Sequence, residues 1–343
     1  MMRLHARPRR RWWLRASLLG LLALVIISVG WYVYALSPRD SNDSNRQLIV
    51  VTEGMSSDQI ARLLESKRII HSQLAFRVYI ELQGGKGRLQ AGGYRFAASE
   101  PVPQIIHELE TGKIEAYNLT ILPGIRLDQI KQILVDAGFG AGAIDTAYSE
   151  HYDLPLFASK PADVNLEGYI FPETYQIDSS TTVDSLLRRT FQQFNDELDQ
   201  AQLPPKLQAQ GLTLHQAIIL ASIVGKETAN PDDQKQVAQV FLKRWRGGMV
   251  LGSDPTYHYA AHLLGVEPSV TIDSPYNTRK FPGLPPGAIA NFNLSTLEAV
   301  ANPAPGDYLY FVAGDDGKTY FARTFEEHQQ NVQKYCHRLC SDT

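Results

Sequence analysis

The feature that most constrains this chain is an uncharged run of 21 residues, Ala16 to Leu36 (ASLLGLLALVIISVGWYVYAL). As a helix it spans roughly 31 Å, about the thickness of bilayer hydrocarbon. Trp12, Trp13, Trp31, Tyr32 and Tyr34 cluster at its two ends, where amphipathic rings favour the membrane–water interface. Residues 1–15 form a basic tip with six arginines (Arg3, Arg7, Arg9, Arg10, Arg11, Arg15) and no acid. By the positive-inside rule the N-terminus stays in the cytoplasm and everything after Leu36 lies on the outer side. A cleaved signal peptide is the competing reading. The run exceeds the ~7–15 residues of a signal core, and bulky Tyr32–Leu36 offers no small-residue cleavage site, so an anchor is favoured. No second apolar run of this length is present, and the expectation is a single-pass protein.

The 343 residues leave room for two soluble domains or one large one. Without the basic tip the chain holds 27 basic and 36 acidic residues, a net charge of −9. An acidic body does not suit nucleic acid, whose phosphates need a basic face. Two cysteines cannot frame a fold or build a four-cysteine zinc site. The expected class is α+β: one transmembrane helix over 16–36, a polar linker over 37–46, a small α+β module over 47–120, and a larger, mostly helical α+β domain over 121–343.

A pattern repeats at an offset of 70 residues. Val51-Thr-Glu-Gly54 followed by Asp58-Gln59-Ile60 matches Ile121-Leu-Pro-Gly124 followed by Asp128-Gln129-Ile130. Each copy reads as a β-rich run, a glycine turn and an amphipathic helix, with Ser56 or Ser57 capping the first helix. Helices are expected over Gln73–Leu82, Val102–Leu109, Asp184–Leu198, Leu214–Ala229, Lys235–Trp245 and Thr324–Cys340. Pro204-Pro205 reads as a chain break, and Leu251–Thr256 as a polar turn. Strands are expected at Tyr94–Phe96 and Tyr308–Val312, the latter turning at Asp315-Asp316-Gly317 into Lys318–Ala322. The 47–120 module offers scattered acids and His107, which suits binding better than catalysis.

The stretch Leu214–Ala229 (LHQAIILASIVGKETA) is the most informative place to look for chemistry. Leu220 and Ile223 extend its apolar surface, and Glu227 continues that line. A carboxylate ending an apolar stripe is partly desolvated, which raises its pKa, and a carboxyl group protonated near neutral pH is what a general acid needs. The structural alternative is a solvated glutamate paired with Lys226 or Lys235. Three further loops, around Asp254, around Tyr276-Asn277-Thr278 and over Gly283–Asn291, bring aromatic, amide and hydroxyl groups suited to sugars.

These segments resemble the YceG-like endolytic murein transglycosylases of bacterial inner membranes. The resemblance rests on the anchor, Leu166-Glu-Gly-Tyr-Ile-Phe-Pro172-Glu-Thr-Tyr175, Ala221-Ser-Ile-Val with Lys226-Glu227-Thr228, Ser253-Asp254-Pro255-Thr256, Tyr276-Asn277-Thr278 and Gly283–Ala290. It implies that the first module is LysM-like and peptidoglycan-associated, and that the second domain cleaves the MurNAc–GlcNAc β-1,4 bond of nascent glycan strands without water. The product would carry a 1,6-anhydro-MurNAc end. It also implies a periplasmic body, cell-wall synthases as partners, and no metal or organic cofactor. The family's catalytic acid is the second of a Glu-Lys-Glu run, which maps to Glu227. Asp254, Tyr276, Asn277 and Thr278 are the expected substrate contacts or orienting groups. The run's first acid is replaced here by Gly225, and the usual Gln before Ser253 by Gly252.

Two readings compete with this one: a tethered peptidoglycan-binding scaffold, and a hydrolase with Glu227 as acid and Asp254 as base or nucleophile. Cys336 and Cys340, four apart on an expected helix, are read as too far apart to bridge. With His337 they make a weak metal site at most.

Overall fold

A computed structural model describes residues 9–84, 89–112, 116–178, 180–338 and 340, with side chains from residue 17 onward. Arg3 and Arg7 of the basic tip lie outside the described residues. The chain divides into two compact units: residues 1–117 with 136–140 and 178–180, and residues 118–135, 141–177 and 181–343.

In the first unit, α1 (Arg9–Leu36) contains the apolar run. Its segment Ser17–Leu36 is long and apolar enough to cross a membrane. Strand β1 (Gln47–Val51) pairs antiparallel with β2 (Gly92–Phe96), Ile49 opposite Tyr94. Between them lie α2 (Ser57–Ser66) and α3 (Gln73–Leu82), and α4 (Val102–Thr111) follows. Ile49 and Val51 point inward with the period of two that a strand imposes. They meet Ile60 and Leu64 of α2, Phe76 and Ile80 of α3, and Ile105 and Leu109 of α4.

The segment expected as a polar linker is tied down instead. Arg39 Nη1 donates to Ile70 O at 2.8 Å, and Asp40 N to Ala98 O at 3.0 Å. Arg46 pairs with Glu100 at 2.8 Å. Local polarity signals exposure, and it does not reveal that the folded module offers two backbone carbonyls and the Glu100 carboxylate to receive these groups.

The second unit takes up most of β3 (Tyr117–Thr120), which pairs with β4 (Thr174–Ile177). Helices α5 (Leu127–Asp136) and α6 (Ala141–Ser149) precede α7 (Val183–Gln200) and α8 (Leu203–Ala209). Helix α9 (Leu214–Glu227) is followed by α10 (Pro231–Arg246), α11 (Asp254–Leu264) and α12 (Leu294–Ala301). The chain ends with an antiparallel hairpin, β5 (Tyr310–Ala313) and β6 (Thr319–Ala322), and α13 (Phe325–Tyr335). All residues from Ala217 to Val224 are buried. A helix apolar on every side belongs in the centre, and α8, α10, α11 and α12 surround α9.

The two copies of the repeat adopt the same local form. Gly54 and Gly124 sit at φ 82° and 76°, the left-handed conformation that glycine tolerates. Seventy residues apart, the same reach-back bond closes each helix start. Gln59 Oε1 accepts from Ser56 N at 2.7 Å, and Gln129 Oε1 from Arg126 N at 2.9 Å.

Three further expectations are corrected. Pro204-Pro205 opens α8 rather than breaking the chain, because proline in a first helical turn sacrifices no hydrogen bond. Asp254–Leu264 is a helix, with Pro255 in its first turn for the same reason. Cys336 and Cys340 form a disulfide with Cα atoms 5.5 Å apart. The terminal helix stops at Tyr335, and Cys336 leaves it at φ −126°, ψ 79°, so helical spacing does not separate the pair.

Candidate active site

Glu227 is the last residue of α9. The helix stops there because Thr228 turns extended, at φ −151° and ψ 140°, and Pro231 opens the next helix. The C-terminal end of a helix is the negative end of its dipole, an unfavourable place for a carboxylate. Glu227 opens onto a cleft of about 790 Å³, towards the upper end of ligand-sized cavities. Asp254, Arg244 and Arg279 line the same cleft, with Tyr310 and Phe325 as aromatic walls.

Burial pushes the Glu227 carboxyl up to about 7. The Ser253 hydroxyl, donating to Glu227 Oε1 at 2.5 Å, pulls in the opposite direction. The negative charge of Asp254 adds to the rise, and Arg279 and Arg244 oppose it. Ser253 occupies the N-cap position of α11 but makes no capping bond. Its hydroxyl is turned to the glutamate instead.

Ser253 is itself held. Its N–H donates to Thr278 Oγ1 at 3.2 Å, and the N–H of Gly252 donates to Thr278 O at 2.9 Å. Thr256 Oγ1 lies 2.8 Å from Thr278 Oγ1 and donates to Ser253 O at 2.6 Å. Gly252 adopts φ 72°, and a side chain there would meet Arg244 Nη1 at 3.0 Å.

The expected contact residues are thus distributed. Asp254 lines the cleft, paired to Arg279. Asn277 is buried, and its amide donates to Val270 O at 2.8 Å and Ile272 O at 2.9 Å. Thr278 is buried beneath Ser253. Neither lines the cleft. Tyr276 packs on Tyr259, ring centres 4.9 Å apart, and it too is absent from the cleft lining.

Arg244, Arg279 and His328 carry no signal in the sequence, and Ser253 stands out there only as part of the Ser253–Thr256 motif. Arg244 reaches the cleft from the last turn of α10, donating to Leu309 O at 2.6 Å, with its guanidinium over Tyr310. Burial and the charge of Arg244 keep His328 below the ordinary histidine range. Among the described residues, His328 Nδ1 has no hydrogen-bond partner. Also among these residues, no group of three or more His, Cys, Asp or Glu side chains could hold a metal.

A second buried acid, Glu167, accepts from Leu127 N at 2.9 Å and from Tyr259 Oη at 3.1 Å. Burial raises it to about 7 as well. Its donors come from the start of α5 and from α11, so it ties those elements together.

The model of the YceG-like family matches residues 49–334. The chain belongs to the YceG-like family. It is 30% identical over 339 residues to the endolytic murein transglycosylase of Bacillus subtilis (strain 168), covering 90% of this chain and 91% of that one. The endolytic murein transglycosylase of Streptococcus pneumoniae serotype 2 (strain D39) is 29% identical over 362 residues, covering 92% of this chain and 64% of that protein. A crystal structure of a YceG-like protein from Listeria monocytogenes superimposes with a TM-score of 0.60 at 28% identity, covering 83% of this chain and 98% of that one.

Proposed function

We propose that this YceG-like protein is an endolytic murein transglycosylase, anchored by α1 with its N-terminus in the cytoplasm and its body on the periplasmic side of the inner membrane. Glu227 acts as acid and then as base on one sugar. Its carboxyl proton passes to the glycosidic oxygen as the bond from C1 of MurNAc to O4 of GlcNAc breaks. The resulting carboxylate takes the proton of the C6 hydroxyl, whose oxygen bonds to C1. The anhydro ring closes, no water is consumed, and Glu227 ends protonated. Acid–base assistance of this kind is worth roughly 10²–10⁴-fold, and positioning and ring distortion supply the rest.

The observation that carries this reading is a carboxyl raised to about 7 at a ligand-sized cleft, in hydrogen-bond contact with a fixed hydroxyl. Asp254, Arg279 and Arg244 are the polar contacts for a glycan, and Tyr310 and Phe325 are apolar faces for sugar rings. Asn277 and Thr278 act beneath them as positioning residues, and Tyr276 supports the neighbouring core. The first unit, with two helices enclosed between paired strands, serves as the LysM-like peptidoglycan-associated module, and cell-wall synthases are natural partners.

Incubation of full-length protein with uncross-linked glycan strands, followed by mass spectrometry of the new ends, tests the assignment. Anhydro ends that vanish in Glu227→Gln support it. Reducing ends would mean a hydrolase, and binding without new ends a scaffold.

A further inference from the structure

Helix α3 buries Ala75, Phe76 and Ile80 in the first unit's core. On another side it presents Leu74, Val78 and Leu82, which are 52%, 38% and 75% exposed. Spacings of four residues place the three on one line along the helix. Isolated exposed apolar residues are ordinary, but an aligned stripe marks an interaction surface.

What the stripe faces identifies its partner. Helix α1 packs against α3 within the same unit. Between them lies an apolar gap of about 590 Å³, walled by Ile27, Val29 and Trp31 from α1 and by the stripe from α3. Ile27 lies nine residues and Trp31 five residues before Leu36, so at 1.5 Å per residue the gap runs from about 14 to about 8 Å below the end of α1. In a bilayer with about 30 Å of hydrocarbon, that is acyl-chain depth.

The attachment of α1 to the unit is close. Ala35 is 1% exposed, and Leu36 packs on the core. The Tyr34 and His71 rings lie 4.6 Å apart, and His71 Nε2 is 3.1 Å from Pro38 O. Arg77 and Glu81 give α3 a polar border, as expected of a helix lying in a membrane interface.

We propose that the Leu74–Val78–Leu82 stripe is a membrane-docking surface. Lipid acyl chains fill the gap between α1 and α3, and the first unit rides on the bilayer, partly sunk into it, instead of hanging from a flexible tether. The inference rests on the reading of α1 as a membrane anchor.

Full-length protein in phosphatidylcholine–phosphatidylglycerol liposomes tests it. A nitroxide is placed in turn on Val78→Cys, Val25→Cys and Arg62→Cys, with the native disulfide left oxidised. Collision with oxygen reports lipid, and collision with a water-soluble nickel chelate reports solvent. Residues 25 and 78 should both favour oxygen several-fold, and exposed residue 62 should favour nickel. If residue 78 behaves like 62 while 25 stays in lipid, docking is wrong and the anchor stands. If residue 25 is also in water, the anchor reading itself fails. Spin–spin broadening at residue 78 with neither quencher admitted would mean that a second copy covers the stripe, and would overturn the lipid assignment.

Discussion

The Ser253 hydroxyl donates to Glu227 Oε1 at 2.5 Å, joining the N-cap of α11 to the last residue of α9 across 26 positions of sequence. This bond favours the ionised carboxylate, whereas burial favours the protonated one, and burial prevails. Ser253→Ala should therefore shift the alkaline limb of the pH–rate profile upward. It should also lower kcat about tenfold, the equivalent of ~1.4 kcal/mol, because the carboxyl loses the contact that aims it. A pH–rate series on both proteins checks the two effects together.

A raised carboxyl has a stability consequence of definite sign. Below about 4.5, the ordinary value, Glu227 is protonated in both folded and unfolded chains and has no effect. Between there and its folded value of about 7 the unfolded chain gives up the proton first, so stability falls as pH rises. Above about 7 the loss is complete. Glu227→Gln should accordingly raise the melting temperature at pH 8 and leave it unchanged at pH 4. Thermal unfolding at both values measures this.

Thr278→Val keeps the shape of the side chain but removes the oxygen that receives the N–H of buried Ser253. An unsatisfied buried donor costs about 1–3 kcal/mol. The variant should lose that much stability and most of its activity, although Thr278 does not line the cleft. A valine variant with wild-type activity would show that the threonine does not position Ser253.

The two glycines should respond in opposite ways. A side chain at Gly225 meets Thr296 at 3.5 Å, an ordinary contact, inside a regular helix. Gly225→Ala should therefore stabilise the fold by up to about 1 kcal/mol. Gly252→Ala forces a left-handed residue costing about 1–2 kcal/mol and crowds Arg244 at 3.0 Å, so both stability and activity should fall. Denaturant titration of the pair compares them directly.

What the sequence made legible is what local pattern encodes. The bounds of α3 match their apolar periodicity, and Gly54 and Gly124 make the same turn. The line from Leu220 through Ile223 to Glu227 placed an acid at the end of a buried helix. The support of that acid was not legible, because Thr278 meets Ser253 and Thr256 only through tertiary contacts. Arg244 reads in sequence as one of several cations ending α10, and only the fold turns it to the cleft. Asn277 and Thr278 illustrate the converse. Polar loop residues suggest substrate contact, yet here their hydrogen bonds are made inward.

The central claim is that Glu227 holds a proton near neutral pH, and titration of its carboxyl tests this most directly. Infrared difference spectra of wild type against Glu227→Gln, recorded from pH 4 to 9, isolate its carbonyl stretch from that of Glu167. A midpoint near 7 agrees with the account. A midpoint near 4.5, the value of an ordinary solvated glutamate, would contradict it.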